Sequence, residues 1–116
     1  MNASDLVLIL VAIAHDYTLN KADVYRLAKK VDDELKLGIG IKPLITGSLY
    51  SVKIEDALDH NVALGYMIHK SCYDGSRRWS EYEITNDGLY IVSRKPYDKV
   101  IEIVEGTPTS PTPSSP

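Results

Sequence analysis

Residues 66–85 read YMIHKSCYDGSRRWSEYEIT, and this stretch decides the fold. Its first part alternates Tyr66, Ile68 and Lys70 with Met67, His69 and Ser71 up to Tyr73, and its last part alternates Trp79, Glu81 and Glu83 with Ser80, Tyr82 and Ile84. A period of two marks strands that present alternate residues to opposite faces. Between them lies Asp74-Gly75-Ser76-Arg77-Arg78, and the Asp-Gly pair tolerates the positive φ angles of a tight hairpin turn. The stretch therefore predicts a β-hairpin with a basic tip. From His69 to Arg78 its formal charges are Lys70, Arg77 and Arg78 against Asp74 alone.

Upstream, the period lengthens to that of helices. Ser4 stands before Leu6, Val7, Ile9, Leu10, Ile13 and Ala14, which predicts an N-cap and a short central core helix, apolar on nearly every side. Asn20 is placed to cap a second helix from Lys21 to about Leu37, with Val24, Leu27, Ala28, Val31 and Leu35 on one face and Gly38 as its stop. Its other face carries Lys21, Arg26, Lys29, Lys30, Asp33 and Lys36. Gly38, Gly40 and Pro43 then break helicity, so a loop is expected.

Thr46 or Ser48 is placed to cap a third helix, in which Tyr50, Ile54, Ala57, Leu58 and Asn61 or Val62 share a face. The opposite face is Ser48, Ser51, Glu55, Asp56 and Asp59, with Lys53 beside it. Downstream of the hairpin, Asn86 is expected to cap a fourth helix through Leu89, Tyr90, Val92 and Ser93. Pro96 interrupts it, and Val100, Ile101, Ile103 and Val104 form a last apolar patch.

The composition narrows the function classes. The 116 residues suit one core, with a folded domain over 1–105 and a tail over 106–116 that reads TPTSPTPSSP from Thr107. That tail has four Pro, no charge and no large apolar side chain, so it is expected to be disordered. One Cys excludes an internal disulfide. The longest apolar run, Leu6 to Ala14, is far short of the roughly 20 residues a membrane-spanning helix needs. Ala12-Ile13-Ala14 mimics a signal-peptidase site, but Met1 to Asp5 carries no Lys or Arg, so a cytoplasmic location and no membrane partner are expected. A net charge of -3 argues against coating nucleic acid by bulk charge and leaves only a local patch for such contact.

The order helix, helix, helix, hairpin, helix is that of an α+β winged helix-turn-helix domain: three helices, a two-stranded wing and an additional C-terminal helix. Three motifs carry a family resemblance as well. Thr46-Gly47-Ser48-Leu49-Tyr50 resembles the opening of the recognition helix in PadR-type transcriptional regulators. Trp79 to Gly88 is similar to their second wing strand with its Thr-x-x-Gly turn, and Gly65-Tyr66-Met67-Ile68 to the entry into the first. These short motifs are shared with MarR-like proteins. Between Tyr50 and Gly65 the chain is about one helical turn longer than the family spacing, and it lacks a long C-terminal helical extension.

The resemblance implies sequence-specific binding of double-stranded DNA by a homodimeric regulator, with the third helix in the major groove. On that reading Ser48, Ser51 and Lys53 reach base edges, and Lys42 and Thr46 bind phosphate. Arg77 and Arg78 reach the minor groove or the phosphates, supported by Lys70 and His69 from the strand. The exposed apolar sides of the first helix and of Val100 to Val104 are the expected dimer surfaces. Glu55, Asp56 and Asp59 oppose this reading, because carboxylates facing DNA repel phosphate. The competing reading is a winged-helix protein-interaction module without DNA binding.

No enzymatic activity, cofactor or metal is expected. His15, His60, His69 and Cys72 lack ligand spacing, and His69 and Cys72 fall on opposite faces of a strand. Cys72 has no evident base nearby, and Gly38-Ile39-Gly40 lacks the rest of a phosphate-binding loop. Tyr25 and Tyr50 are candidates to line a dimer or effector pocket.

Overall fold

The Asn2 side chain accepts a hydrogen bond from the Asp5 N–H (2.8 Å) and so caps α1, Ala3–Ala12. The cap lies ahead of Ser4, the expected position, because Ser4 is already inside the first turn. Leu6 through Val11 are at most 2 % exposed, enclosed by α2, α3, α4 and the sheet described below. The prediction of a core helix holds. The same burial removes α1 as a dimer surface, since it has no apolar side left uncovered. The computed structural model describes residues 1–106, and the tail expected from Thr107 onward lies outside the described residues.

A one-turn 3-10 segment at His15–Tyr17 leads into β1, Thr18–Asn20, a strand too short to leave a periodic trace in the sequence. Asn20 then caps α2, Lys21–Leu35, by accepting from the Asp23 N–H (2.7 Å). Of the expected apolar face, Val24, Leu27, Ala28 and Val31 are buried and Leu35 is half-buried against the core. The helix ends earlier than the glycine suggested. Lys36 itself takes the left-handed conformation (φ 54°), its N–H bonds the Asp32 carbonyl, and the Asp32 side chain accepts from Ile39 N–H.

The largest departure follows α2. Lys42–Pro43 (β2) and Leu49–Tyr50 (β3) pair antiparallel, with Lys42 opposite Tyr50 and Pro43 opposite Leu49. Leu44 N–H bonds the Ser48 carbonyl and Gly47 N–H bonds the Leu44 carbonyl, closing a turn in which Gly47 has φ 91°. Gly47 cannot be helical there, so neither Thr46 nor Ser48 caps the next helix. That role belongs to Ser51, whose hydroxyl accepts from the Ile54 N–H at the start of α3, Val52–Ala63. Within α3, Ile54, Ala57, Leu58 and Asn61 face the core as expected, while Tyr50 lies outside the helix.

Met67–Tyr73 (β4) and Arg78–Ile84 (β5) form the expected hairpin, in register from Met67 opposite Ile84 to Tyr73 opposite Arg78. β1 adds to its other edge, giving an antiparallel sheet in the order β1-β5-β4. Thr85, rather than Asn86, caps α4, Asn86–Val92. Its hydroxyl donates to the Gly65 carbonyl and accepts from the Gly88 N–H. α5, Asp98–Glu105, follows Pro96 and packs on α2 through the fully buried Val100. Lys95, in the α4–α5 connection, pairs with Asp5 of α1 at 3.1 Å. Among the described residues the chain is thus α+β, with five α-helices, one three-stranded sheet and one small hairpin.

Two substitutions test this construction. A Cβ on Gly88 would stand 2.3 Å from the Tyr66 carbonyl oxygen, which is itself held by the Thr85 N–H. Gly88→Ala should therefore lower the urea unfolding midpoint at a cost of about 1–3 kcal/mol. Ser51→Ala should cost about 1 kcal/mol by removing a cap, whereas Thr46→Ala and Ser48→Ala should stay within about 0.5 kcal/mol. The reverse ranking in urea titrations would return the cap to the hairpin.

Candidate nucleic-acid interface

The β4–β5 tip is organised by one carboxylate. Asp74 Oδ1 accepts from Ser76 N–H, Arg77 N–H and Ser76 hydroxyl, each at 3.0 Å, while Gly75 takes φ 96°. These hydrogen bonds hold the Asp74 carboxyl below its ordinary value of 3.8. The turn then delivers two arginines onto aromatic rings. The Arg78 guanidinium lies 4.8 Å from the Tyr73 ring centre, and the Arg77 guanidinium 5.9 Å from that of Trp79. Cation–π contacts at such exposed sites contribute about 0.5–1 kcal/mol each. They also limit where the two long side chains can swing.

The register fixes which side each arginine occupies. Tyr73 and Arg78 are paired and share one face, whereas Trp79, paired with Cys72, belongs to the other. Arg78 therefore lies on one face of the ribbon and Arg77, over Trp79, on the opposite one. The sequence showed two adjacent arginines in a turn but not that flanking aromatics would hold them apart.

Lys70 does not join this pair. Its ammonium binds Glu83 at 2.7 Å, and that carboxylate raises the Lys70 pKa above its ordinary value. Glu81, on the same face, accepts from the Trp79 indole N–H. The strand body is thus electrically balanced or acidic, and the positive charge is confined to the tip. On the inner face, His69 stacks on Tyr82 with ring centres 4.8 Å apart, and its Nε2 is 2.9 Å from the Ser80 hydroxyl.

The other five expected contact residues are dispersed by the β2–β3 hairpin. Lys42 is exposed on β2, and Thr46 and Ser48 are exposed in and beside the turn. Ser51 is 3 % exposed and occupied as a cap, so its side chain is not presented to a groove. Lys53 is exposed on α3, with its ammonium donating to the Gly38 carbonyl (3.3 Å). The exposed residues of α3 are Val52, Lys53, Asp56, Asp59, His60 and Ala63. Carboxylates outnumber ammonium groups on that face.

Glu55, the third carboxylate of concern, turns towards α2. It accepts from Lys21 Nζ (2.7 Å) and from the Tyr25 hydroxyl, which also lies near the Ser51 carbonyl. These groups edge a cavity of about 350 Å³ lined by Lys21, Ala22, Tyr25, Ser48, Leu49 and Glu55. Tyr25 faces this space as expected, but Tyr50 is not part of its wall. Burial raises the Tyr25 pKa, and the Glu55 hydrogen bond adds to that. Burial works against the Lys21 charge, yet the hydrogen bond and charge of Glu55 outweigh it and leave the pKa raised.

Burial also raises the Cys72 pKa, with the nearby Glu81 carboxylate adding to the effect, so the group is held as a thiol. Among the described residues no three His, Cys, Asp or Glu side chains gather in a way that could hold a metal ion. Among them also, no helix is long and apolar enough to cross a membrane.

Lys21 and Tyr25 both hold their protons more tightly folded than unfolded, where the ordinary values are 10.5 and 10.0. Their contribution to stability is complete below about pH 10 and is lost as pH rises through the folded values. The urea midpoint should accordingly fall above about pH 10, and Glu55→Gln should flatten that fall. An equally steep fall in the variant would show that the cluster does not carry it. Comparison of the chain with family models, with curated proteins and with solved structures finds no match.

Proposed function

We propose that this chain is a winged-helix protein that binds double-stranded DNA, with β4–β5 as its wing and transcriptional regulation by site occupancy, without catalysis, as its role. The observation that carries the reading is the placement of Arg77 and Arg78 on opposite faces of one projecting ribbon, each set on an aromatic ring. A ribbon lying along a groove has a phosphate strand on each side, and a guanidinium on each face can meet both. The order α1-β1-α2-β2-β3-α3-β4-β5, in which β1 completes the sheet beside β5 and a small hairpin is inserted ahead of α3, supports the fold side of the proposal. Two copies would share a pseudo-palindromic site, with partly exposed Ile101 and Val104 of α5 as apolar surface for pairing.

Base reading by α3 is narrower in this proposal than the element order alone suggests. Val52 and Lys53, in its first turn, are the groups nearest the start of the helix, but Asp56 lies one turn on beside Lys53 and, with Asp59, holds the later turns away from phosphate. That acidic face is the specific feature favouring the second reading, a protein-interaction module. The two readings separate in a gel-shift series with duplex DNA over increasing salt. Replacing Arg77 and Arg78 by Ala should weaken binding on every sequence and make the slope of log affinity against log salt shallower by about 2. An unchanged slope removes the wing from the interface, and no shift at low salt leaves the protein-interaction reading.

A further inference from the structure

The β2–β3 hairpin has a construction that core packing does not explain. The segment around it buries Ile39, Ile41 and most of Leu49, and then sends Ile45 entirely into solvent (107 % exposed), with Leu44 half exposed beside it. A soluble fold loses nothing by having Thr or Asn at a turn tip, since an exposed branched alkyl group contributes no packing there. The turn has a defined shape: two backbone hydrogen bonds and the left-handed Gly47 close it, and β3 runs directly into the capped start of α3. From Lys36 through Ile54 the chain carries Lys36, Lys42 and Lys53 and no Asp or Glu, although the whole protein has net charge -3. Lys42 stands at the stem, opposite the ring-bearing Tyr50.

We propose that this hairpin is an apolar wedge: resting on the DNA-binding reading above, it enters the minor groove, inserts Ile45 between two base pairs and kinks the duplex. Acid-free, lysine-bearing flanks match a polyanion, and an aliphatic side chain at the tip of a hairpin is the kind of group that unstacks a base step and bends DNA by roughly 20–90°. Thr46 and Ser48, exposed beside the tip, are placed to bond sugar or phosphate oxygens as the groove opens. A protein partner fits the patch less well. The exposed large apolar side chains of the segment are Leu44, Ile45, Tyr50 and Val52, whereas each side of a stable interface engages about 20–30 residues.

The test measures end-to-end distance in a duplex of roughly 20–30 bp carrying a fluorophore at each end, titrated with the full chain at low salt. Wild type should shorten that distance on binding. Ile45→Ala, at a fully exposed position, should bind within about tenfold of wild type and leave the duplex straight. Bending by Ile45→Ala equal to wild type, or binding without bending by wild type, overturns the wedge and leaves the DNA reading standing. Absence of binding by wild type overturns both. Flotation with phosphatidylglycerol vesicles completes the test: association that disappears in Ile45→Ala would assign the tip to a bilayer and overturn the wedge.

Discussion

A helix with no polar side has no place at a surface, and α1 imposes that constraint on everything else. Its side chains from Leu6 to Val11 must be covered on all sides, and the chain does this by wrapping α2, α3, α4 and the sheet around it. The polar contacts at its ends are those that close the wrap. Asn61 of α3 donates to the Ser4 carbonyl, and Lys95 reaches Asp5 from beyond α4. Because α1 takes up the inner faces of so many elements, the outer faces are left for charge, with Arg77 and Arg78 at a hairpin tip and Lys53 on the exposed side of α3.

The acidic balance of the chain is resolved locally. Glu55 spends its charge on Lys21 and Tyr25 of α2, Glu83 on Lys70, and Asp74 on the backbone of its own turn. The charges left over are therefore more informative than the net charge: Arg78 at the β4–β5 tip beside Arg77, whose guanidinium lies 3.7 Å from Asp74, the lysines along the α2–α3 connection, and Asp56 and Asp59 on the exposed face of α3.

The hairpin and the apolar face of α2 were legible because each has a long run of one period, and the core helix because Leu6 to Ala14 is apolar on nearly every side. Met67 to Ile84 alternates over two seven-residue strands, and a register slip would bury Glu81 and Glu83 in place of Tyr82 and Ile84. The α3 start was not legible. Thr46, Ser48 and Ser51 are all chemically able to cap, and only the left-handed Gly47 and the pairing of Pro43 with Leu49 select the last of them. The PadR-like Thr46 to Tyr50 motif consequently falls on a hairpin here, not within a helix. Of the expected contact residues, Arg77 and Arg78 kept their expected exposure at the tip. Ser51 was lost to burial and Lys70 to an ion pair, both of which depend on residues distant in sequence.

The pairing of Leu19 with Tyr82 carries a kinetic consequence. β4 and β5 can find each other through a short turn, on the microsecond scale typical of hairpins. β1 reaches β5 across a far longer stretch of chain that contains α2, the β2–β3 hairpin and α3, so its pairing carries a larger loop-closure entropy than that of β4 with β5. The β4–β5 hairpin is thus a local element, whereas the β1–β5 pairing is a long-range one that ties the N-terminal helix to the same sheet.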